Sequence, residues 1–401
     1  MDYDLVFEGG GAKGIVFVGA MQEFDARGHK HGRLLGTSAG AITATLLAAD
    51  YSPDEMLAAL NEKLPDGNSV FTSFMAIPGP FTQADIKNSS IRAFLHSINI
   101  PLIPDFIEGK LDDAIASELA EGPSFRHIFS FVERGGWYSA DNFVTWLEKK
   151  LNSGTFAGKP RNFGGMTLQQ YYDATNNDLS LVASDTSRKQ MLVLNHVTAP
   201  DCPVVWAARM SMSIPLLWQE VIWQAEWGNY KNLDIHGDAI VDGGLLSNFP
   251  IELFLSNLKD VTAVMGEKKS REVLGFLIDE DLPVPNAPES SAPAQTINLS
   301  DLASVKRISR LIDTTLSARD KMVIDSYSQM VVHMPAKGYG TTEFDMSAEK
   351  KAALVEAGRQ ALIAYFSSIE NPKQPDVSFG IGDEESPGQG QIDKLASKIL
   401  R

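Results

Sequence analysis

Apolar positions along this chain fall into two patterns that alternate from the N-terminus onward. Short apolar runs at Tyr3–Phe7, Leu179–Ser184, Lys189–Val197, Ala239–Val241, Val273–Ile278 and Met330–Pro335 end in glycine or polar turns, which predicts buried strands. Between them lie longer stretches of helical character at Ile15–Phe24, Ala41–Ala49, Ser52–Lys63, Tyr138–Leu151, Met166–Tyr172, Val204–Met212, Leu302–Tyr327 and Ser347–Ser368. Ser52 with Pro53 and Glu55, Thr167, and Ser347 with Glu349 supply helix starts. Val221–Tyr230 predicts a further strand with a turn at Gly228-Asn229. Strands alternating with helices indicate an α/β protein.

Two glycine-rich turns follow the first two strand segments. Arg33–Leu35 leads into Gly36-Thr37-Ser38-Ala39-Gly40, and an alanine- and leucine-rich helix leaves it. Strand, sharp turn and helix form the setting that a G-x-S-x-G nucleophile requires, because small neighbours let the chain bend and let substrate reach the hydroxyl. Ser38 also stands at a helix N-terminus, where unpaired N–H groups favour developing negative charge. A serine that merely caps a helix would give the same pentapeptide.

The earlier turn, Gly9-Gly10-Gly11-Ala12-Lys13-Gly14, matches G-x-G-x-x-G. A dinucleotide site needs an acidic residue at the end of the second strand to hold the ribose; here that strand runs into Gly36-Thr37-Ser38. A phosphate loop needs Lys-Ser or Lys-Thr after the last glycine, where this chain has Ile15-Val16. The chemistry left is a nest of backbone N–H groups beside a nucleophile, an oxyanion hole. Further on, Asp242-Gly243-Gly244 puts a carboxylate at a strand end in a tight loop, where open α/β sheets build their sites. Satisfying the N–H groups of that turn is the structural alternative.

Charge narrows the function classes. The 401 residues carry a formal net charge of −16, which argues against nucleic acid and against electrostatic capture by anionic membranes. The single cysteine, Cys202, excludes an intramolecular disulfide framework and a cysteine-rich zinc site, and no metal or cofactor is expected. No basic segment or cleavage site follows Met1-Asp2-Tyr3-Asp4, and no apolar run is long enough to span a bilayer, so a cytoplasmic protein is expected, with signal-independent export left open. Pro65–Phe81 and Ile98–Ile107 mix prolines with aromatic and aliphatic residues; they are expected to pack over the core or to form lids at an acyl-chain mouth. Trp223 and Trp227 are expected in the core or against lipid. Residues 283–295 and 371–401 are poor in apolar side chains, which predicts a flexible loop and tail around one domain over residues 1–370.

In that order, Gly9–Gly14, Gly36–Gly40 and Asp242-Gly243-Gly244 resemble the patatin-like phospholipase family, which shares a core with the cytosolic phospholipase A2 catalytic domain. Ala208–Pro215 is similar to the family's A-x-x-A-S-x-x-x-P region, with Met210-Ser211 where alanine-serine is usual, and Asn248-Phe249-Pro250 and Gly338–Asp345 also fit. The resemblance covers roughly Met1 to Ser368. It implies a three-layer α/β/α fold, with a central, mostly parallel sheet and helices on both faces. It also implies a serine esterase with a Ser-Asp dyad and no histidine. Ser38 would attack the ester carbonyl and Asp242 would accept its proton; Gly10, Gly11 and Ala12, helped by Ala39, would supply oxyanion N–H groups. Lys13 matches a position usually held by Arg or Lys, with a structural role or a preference for anionic headgroups. The implied substrate is a phospholipid or another acyl lipid, met in transient contact with a membrane surface; whether a protein activates the enzyme is not readable. A Ser-acid-His triad would need a histidine after Asp242, where only His333 follows. The competing reading is a non-catalytic nucleotide- or lipid-binding module that uses the glycine loop.

Overall fold

The computed structural model describes residues 1–97, 113–118, 120–122, 126–268, 272–288, 327–370 and 388–400. One eight-stranded sheet organises it. Its strands are β1 (Asp2–Phe7), β2 (Lys30–Thr37), β3 (Leu179–Asp185), β4 (Gln190–Leu194), β5 (Val221–Ile222), β6 (Ala239–Asp242), β7 (Glu272–Pro283) and β8 (Val331–Lys337). They lie in the order β8-β7-β1-β2-β3-β6-β5, with β4 also paired to β3. The pairs from β8 through to β3 are parallel, while β4 and β6 run antiparallel to β3.

Both faces of this sheet are buried. Leu5 and Phe7 enter one hydrophobic cluster and Val6 another; Leu34 and Leu35 divide the same way, as do Leu181 and Val182. A strand's period of two sends successive side chains to opposite faces, so near-continuous apolar runs need a cover on each side. The first face is covered by α1 (Val16–Ala26), α2 (Ala39–Ala48), α3 (Pro53–Leu60), α4 (Asp141–Leu151), α5 (Leu168–Thr175), α6 (Val204–Ser211) and α7 (Ala348–Glu370). Phe249–Phe254, Val261, Met265 and the C-terminal α8 (Gln389–Ile399) cover the second. The result is a three-layer α/β/α fold. A smaller cluster of Ile86, Ala116, Ala120 and Phe129 holds together a helical insert between α3 and α4.

Three expectations change. Residues 389–399, expected within a flexible tail, form α8; Ala396 and Ile399 are buried, and Asp393 accepts hydrogen bonds from Ser256 Oγ at 2.7 Å and Asn257 N–H at 3.0 Å. The strand expected to run to Tyr230 stops at Ile222. There the chain turns inward: Trp223 Nε1 donates to the Gly228 carbonyl at 2.8 Å and Trp227 packs edge-on against Trp223, so both tryptophans are core and neither is available to lipid. The Tyr138–Leu151 helix, expected to be capped near Ser139 or Asp141, instead has Ala140 as its N-cap in a left-handed conformation, without a side-chain cap bond. The Ile98–Ile107 segment and residues 302–326 of the helix expected to run to Tyr327 fall outside the described residues, as do residues 289–295 of the 283–295 loop.

Candidate active site

The sheet register brings the serine and the aspartate together. Thr37 at the end of β2 pairs with Val182 on β3, and Asp242 at the end of β6 pairs with Ala183, the next residue of the same strand. Ser38 and Asp242 thus leave the sheet on either side of β3. The turn at Ser38 is tight enough to need its flanking glycines: a Cβ on Gly36 would lie 2.3 Å from the Gly40 carbonyl oxygen, and one on Gly40 would lie 2.3 Å from that of Phe7. Ser38 itself has φ 53° and ψ −118°, a conformation an L-residue holds only where its surroundings impose it.

Asp242 is 4% exposed and Ser38 5%. Asp242 Oδ1 accepts the Gly244 N–H at 2.8 Å, while Oδ2 is buried without a hydrogen-bond partner among the described residues. Burial pushes the carboxyl up to about 7; the Ser38 side chain and the Gly244 N–H act in the other direction, favouring the ionised form. A carboxylate with that proton affinity is matched to accepting and returning a proton near neutrality. The histidines that a triad would draw on are engaged elsewhere: His333 pairs with Asp279 at 2.9 Å and His236 Nδ1 lies 3.2 Å from the Trp223 carbonyl.

The glycine loop sits beside Ser38, where a Cβ on Gly9 would come within 2.9 Å of the Ser38 Cβ. Asn248 fastens its start: the Asn248 amide donates to the Gly9 carbonyl at 3.0 Å and to Glu8 at 3.1 Å, and Glu8 in turn accepts the Ile278 N–H at 2.6 Å. Its middle is fastened by residues between β8 and α7, because the Ala12 N–H donates to the Thr341 carbonyl at 2.8 Å. Ala12, expected as an oxyanion donor, is therefore already engaged. Among the described residues no backbone carbonyl takes the N–H groups of Gly10, Gly11 or Ala39. Lys13 has a buried side chain tied to the exposed Glu280, and Gly14 packs against Ala39, whose Cβ a side chain at Gly14 would meet at 2.6 Å. Gly243 lies against the Val182 carbonyl, and Gly244 against Asn248 and Asp242.

From Ser38 an apolar cleft runs between α2, α3 and the 3-10 helix Val70–Met75. Ile42, Leu46, Met56, Phe71, Phe74 and Trp146 form its walls, with Phe344 near the glycine loop. The 65–81 segment divides in two: Phe71 and Phe74 meet each other and Trp146 in the cleft wall, whereas Phe81 packs on Phe129 of the insert. Ser211 and Thr341 are the contributors that sequence reasoning does not reach. Ser211 falls inside a stretch matched to the family, yet only the structure shows its hydroxyl accepting the Ser38 N–H.

A doubly covered α/β sheet, with a serine on a strained strand-to-helix turn beside a buried carboxylate, defines the class. The Patatin-like phospholipase family model matches residues 5–255, and the chain belongs to that family. It is 27% identical over 368 residues to the uncharacterized protein YqhO of Bacillus subtilis (strain 168), covering 90% of this chain and 96% of that protein. It is 20% identical over 251 residues to the probable lipid hydrolase 463L of Invertebrate iridescent virus 6, covering 62% of each. Among solved structures it is similar to VipD from Legionella pneumophila, with TM-score 0.46 and 17% identity over 91% of this chain and 67% of that one. Among the described residues, no helix is long and apolar enough to cross a membrane.

Proposed function

We propose that this chain hydrolyses fatty-acyl ester bonds of phospholipids or related acyl lipids through an acyl-enzyme on Ser38. The observation that carries the reading is a strained, nearly buried serine lining an apolar cleft and a buried carboxylate across β3 from it, whose Oδ2 has no hydrogen-bond partner among the described residues. Ser38 Oγ attacks the acyl carbonyl carbon while its proton passes to Asp242. The tetrahedral intermediate collapses as Asp242 returns that proton to the leaving alkoxide oxygen. Water then adds to the acyl-enzyme, giving a proton to Asp242, and the fatty acid departs as Ser38 Oγ is reprotonated. The N–H groups of Gly10, Gly11 and Ala39, which no backbone carbonyl among the described residues takes, stabilise the developing oxyanion, and Ala12 serves by holding the loop through Thr341. Lys13, buried and paired to Glu280, is structural.

The cleft suits an acyl chain, since aliphatic and aromatic walls lead directly to the hydroxyl. The family name and the printed function of the viral relative favour the same substrate class. Contact with a membrane surface is assigned to the helical insert, where Ile77, Ile128 and Val132 are exposed apolar side chains. The test is fatty-acid release from phosphatidylcholine vesicles, followed by mass spectrometry. The folded wild-type protein should release fatty acid and lysophospholipid. Ser38→Ala should lower the rate by several orders of magnitude, as loss of a nucleophile does; a Ser38→Ala protein with wild-type turnover contradicts the proposal.

A further inference from the structure

Ser38 needs a restraint that the sheet alone does not provide. The β2–β3 ladder ends at Thr37 opposite Val182, and the turn then carries the Ser38 backbone away from the strand. A side chain fills the gap. The Ser38 N–H donates to Ser211 Oγ at 3.0 Å, and Ser211 Oγ–H donates to the Val182 carbonyl at 2.6 Å. Ser211 is fully buried at the C-terminal end of α6, so its hydroxyl bridges two backbone groups that no longer meet directly.

The same helix end reaches the other member of the pair. The Asp242 N–H donates to the Ser213 carbonyl at 2.9 Å. Ser213 is held in turn by Arg209, one helical turn earlier: the buried guanidinium donates to Ser213 Oγ, to the Ser139 carbonyl at 3.1 Å and to the Gln219 carbonyl at 3.0 Å. Ser211 and Ser213 thus fix the backbones of Ser38 and Asp242, with β3 between them.

We propose that Ser211 is a positioning residue for hydrolysis, its hydroxyl holding the Ser38 backbone so that Oγ faces Asp242; this rests on the reading of Ser38 as the nucleophile. It touches no substrate and transfers no proton to one. Losing the bridge leaves the Ser38 N–H and the Val182 carbonyl buried without partners and lets the turn relax away from the attack geometry.

The test compares wild type, Ser38→Ala, Ser211→Ala and Thr175→Val on a soluble butyrate ester, with melting temperature and the rate of fluorophosphonate labelling measured on the same folded samples. Thr175 carries a buried hydroxyl on α5, bonded to the Tyr171 carbonyl at 2.8 Å, and controls for the stability cost of removing one. Ser211→Ala should lower kcat about tenfold to a hundredfold, the scale of a small misplacement of a reacting group. Its KM should stay within about twofold and its labelling should slow by the same factor as kcat. Thr175→Val should lose melting temperature and keep kcat. If folded Ser211→Ala keeps wild-type kcat and labelling while Ser38→Ala is inactive, the positioning role is overturned and the nucleophile stands. If Ser38→Ala remains active, the underlying reading fails instead.

Discussion

Burial holds Asp242 as a carboxyl with a proton affinity near neutrality, and this one residue links activity to stability. In the proposed role of general base it must be ionised, so kcat/KM on a soluble ester should rise with pH through a midpoint at about 7 and level off above it. Asp242→Asn should abolish this rise along with nearly all turnover. The stability effect has the opposite sign. The folded value lies above the ordinary 3.8, so the native state binds the proton more tightly than the unfolded chain. The contribution is fully present below about pH 4 and is lost as pH rises through about 7, each tenfold change in proton affinity being worth about 1.4 kcal/mol. Melting curves should therefore show Asp242→Asn gaining on wild type between about pH 5 and about pH 8; a constant difference would mean that Asp242 titrates normally. As candidates, Ser38 and Asp242 are legible in the sequence because both sit in glycine turns whose spacing is local. Ser211 and Thr341 are not, because their roles depend on backbone groups brought to them from distant strands and loops.

At the level of elements and among the described residues, most strands and helices follow their hydrophobic runs, the Val221–Tyr230 strand excepted. The Pro65–Phe81 segment does not, because proline and glycine punctuation hides a 3-10 helix whose apolar residues form the cleft wall. Phe71 is half-buried there and Phe74 fully buried. Phe71→Ser should lower kcat/KM for a palmitoyl ester by about tenfold, the scale expected from losing about 1–2 kcal/mol of apolar contact. A butyryl ester, too short to reach that wall, should change less than about twofold. Equal losses on both substrates, with a lower melting temperature, would assign Phe71 to packing alone. The C-terminal helix gives the opposite lesson. Ile392, Leu395, Ala396 and Ile399 recur at helical spacing, but a polar, glycine- and proline-rich stretch before them masked the signal.

For the whole molecule, a net charge of −16 bears on the proposed contact with a membrane surface. Long-range attraction to anionic lipid is unavailable, so under that proposal binding comes from apolar side chains. Ile128 and Val132 lie one turn apart on the helix Arg126–Arg134, exposed at 41% and 50%. Replacing both with serine should weaken sedimentation with phosphatidylcholine vesicles by about tenfold while leaving soluble-ester turnover intact. Raising salt should leave binding to anionic vesicles unchanged or slightly stronger, since screening removes repulsion; a steep loss with salt would reveal a basic contact surface. The central claim is that the fold activates one serine. Its most direct measurement is fluorophosphonate labelling of the intact protein, with the modified peptide located by mass spectrometry. The account predicts a single adduct on Ser38 in wild type, and labelling slowed by about a hundredfold or more in folded Asp242→Asn. An unlabelled Ser38 in wild type, or equal labelling without Asp242, would contradict it and favour a module that binds lipid without cleaving it.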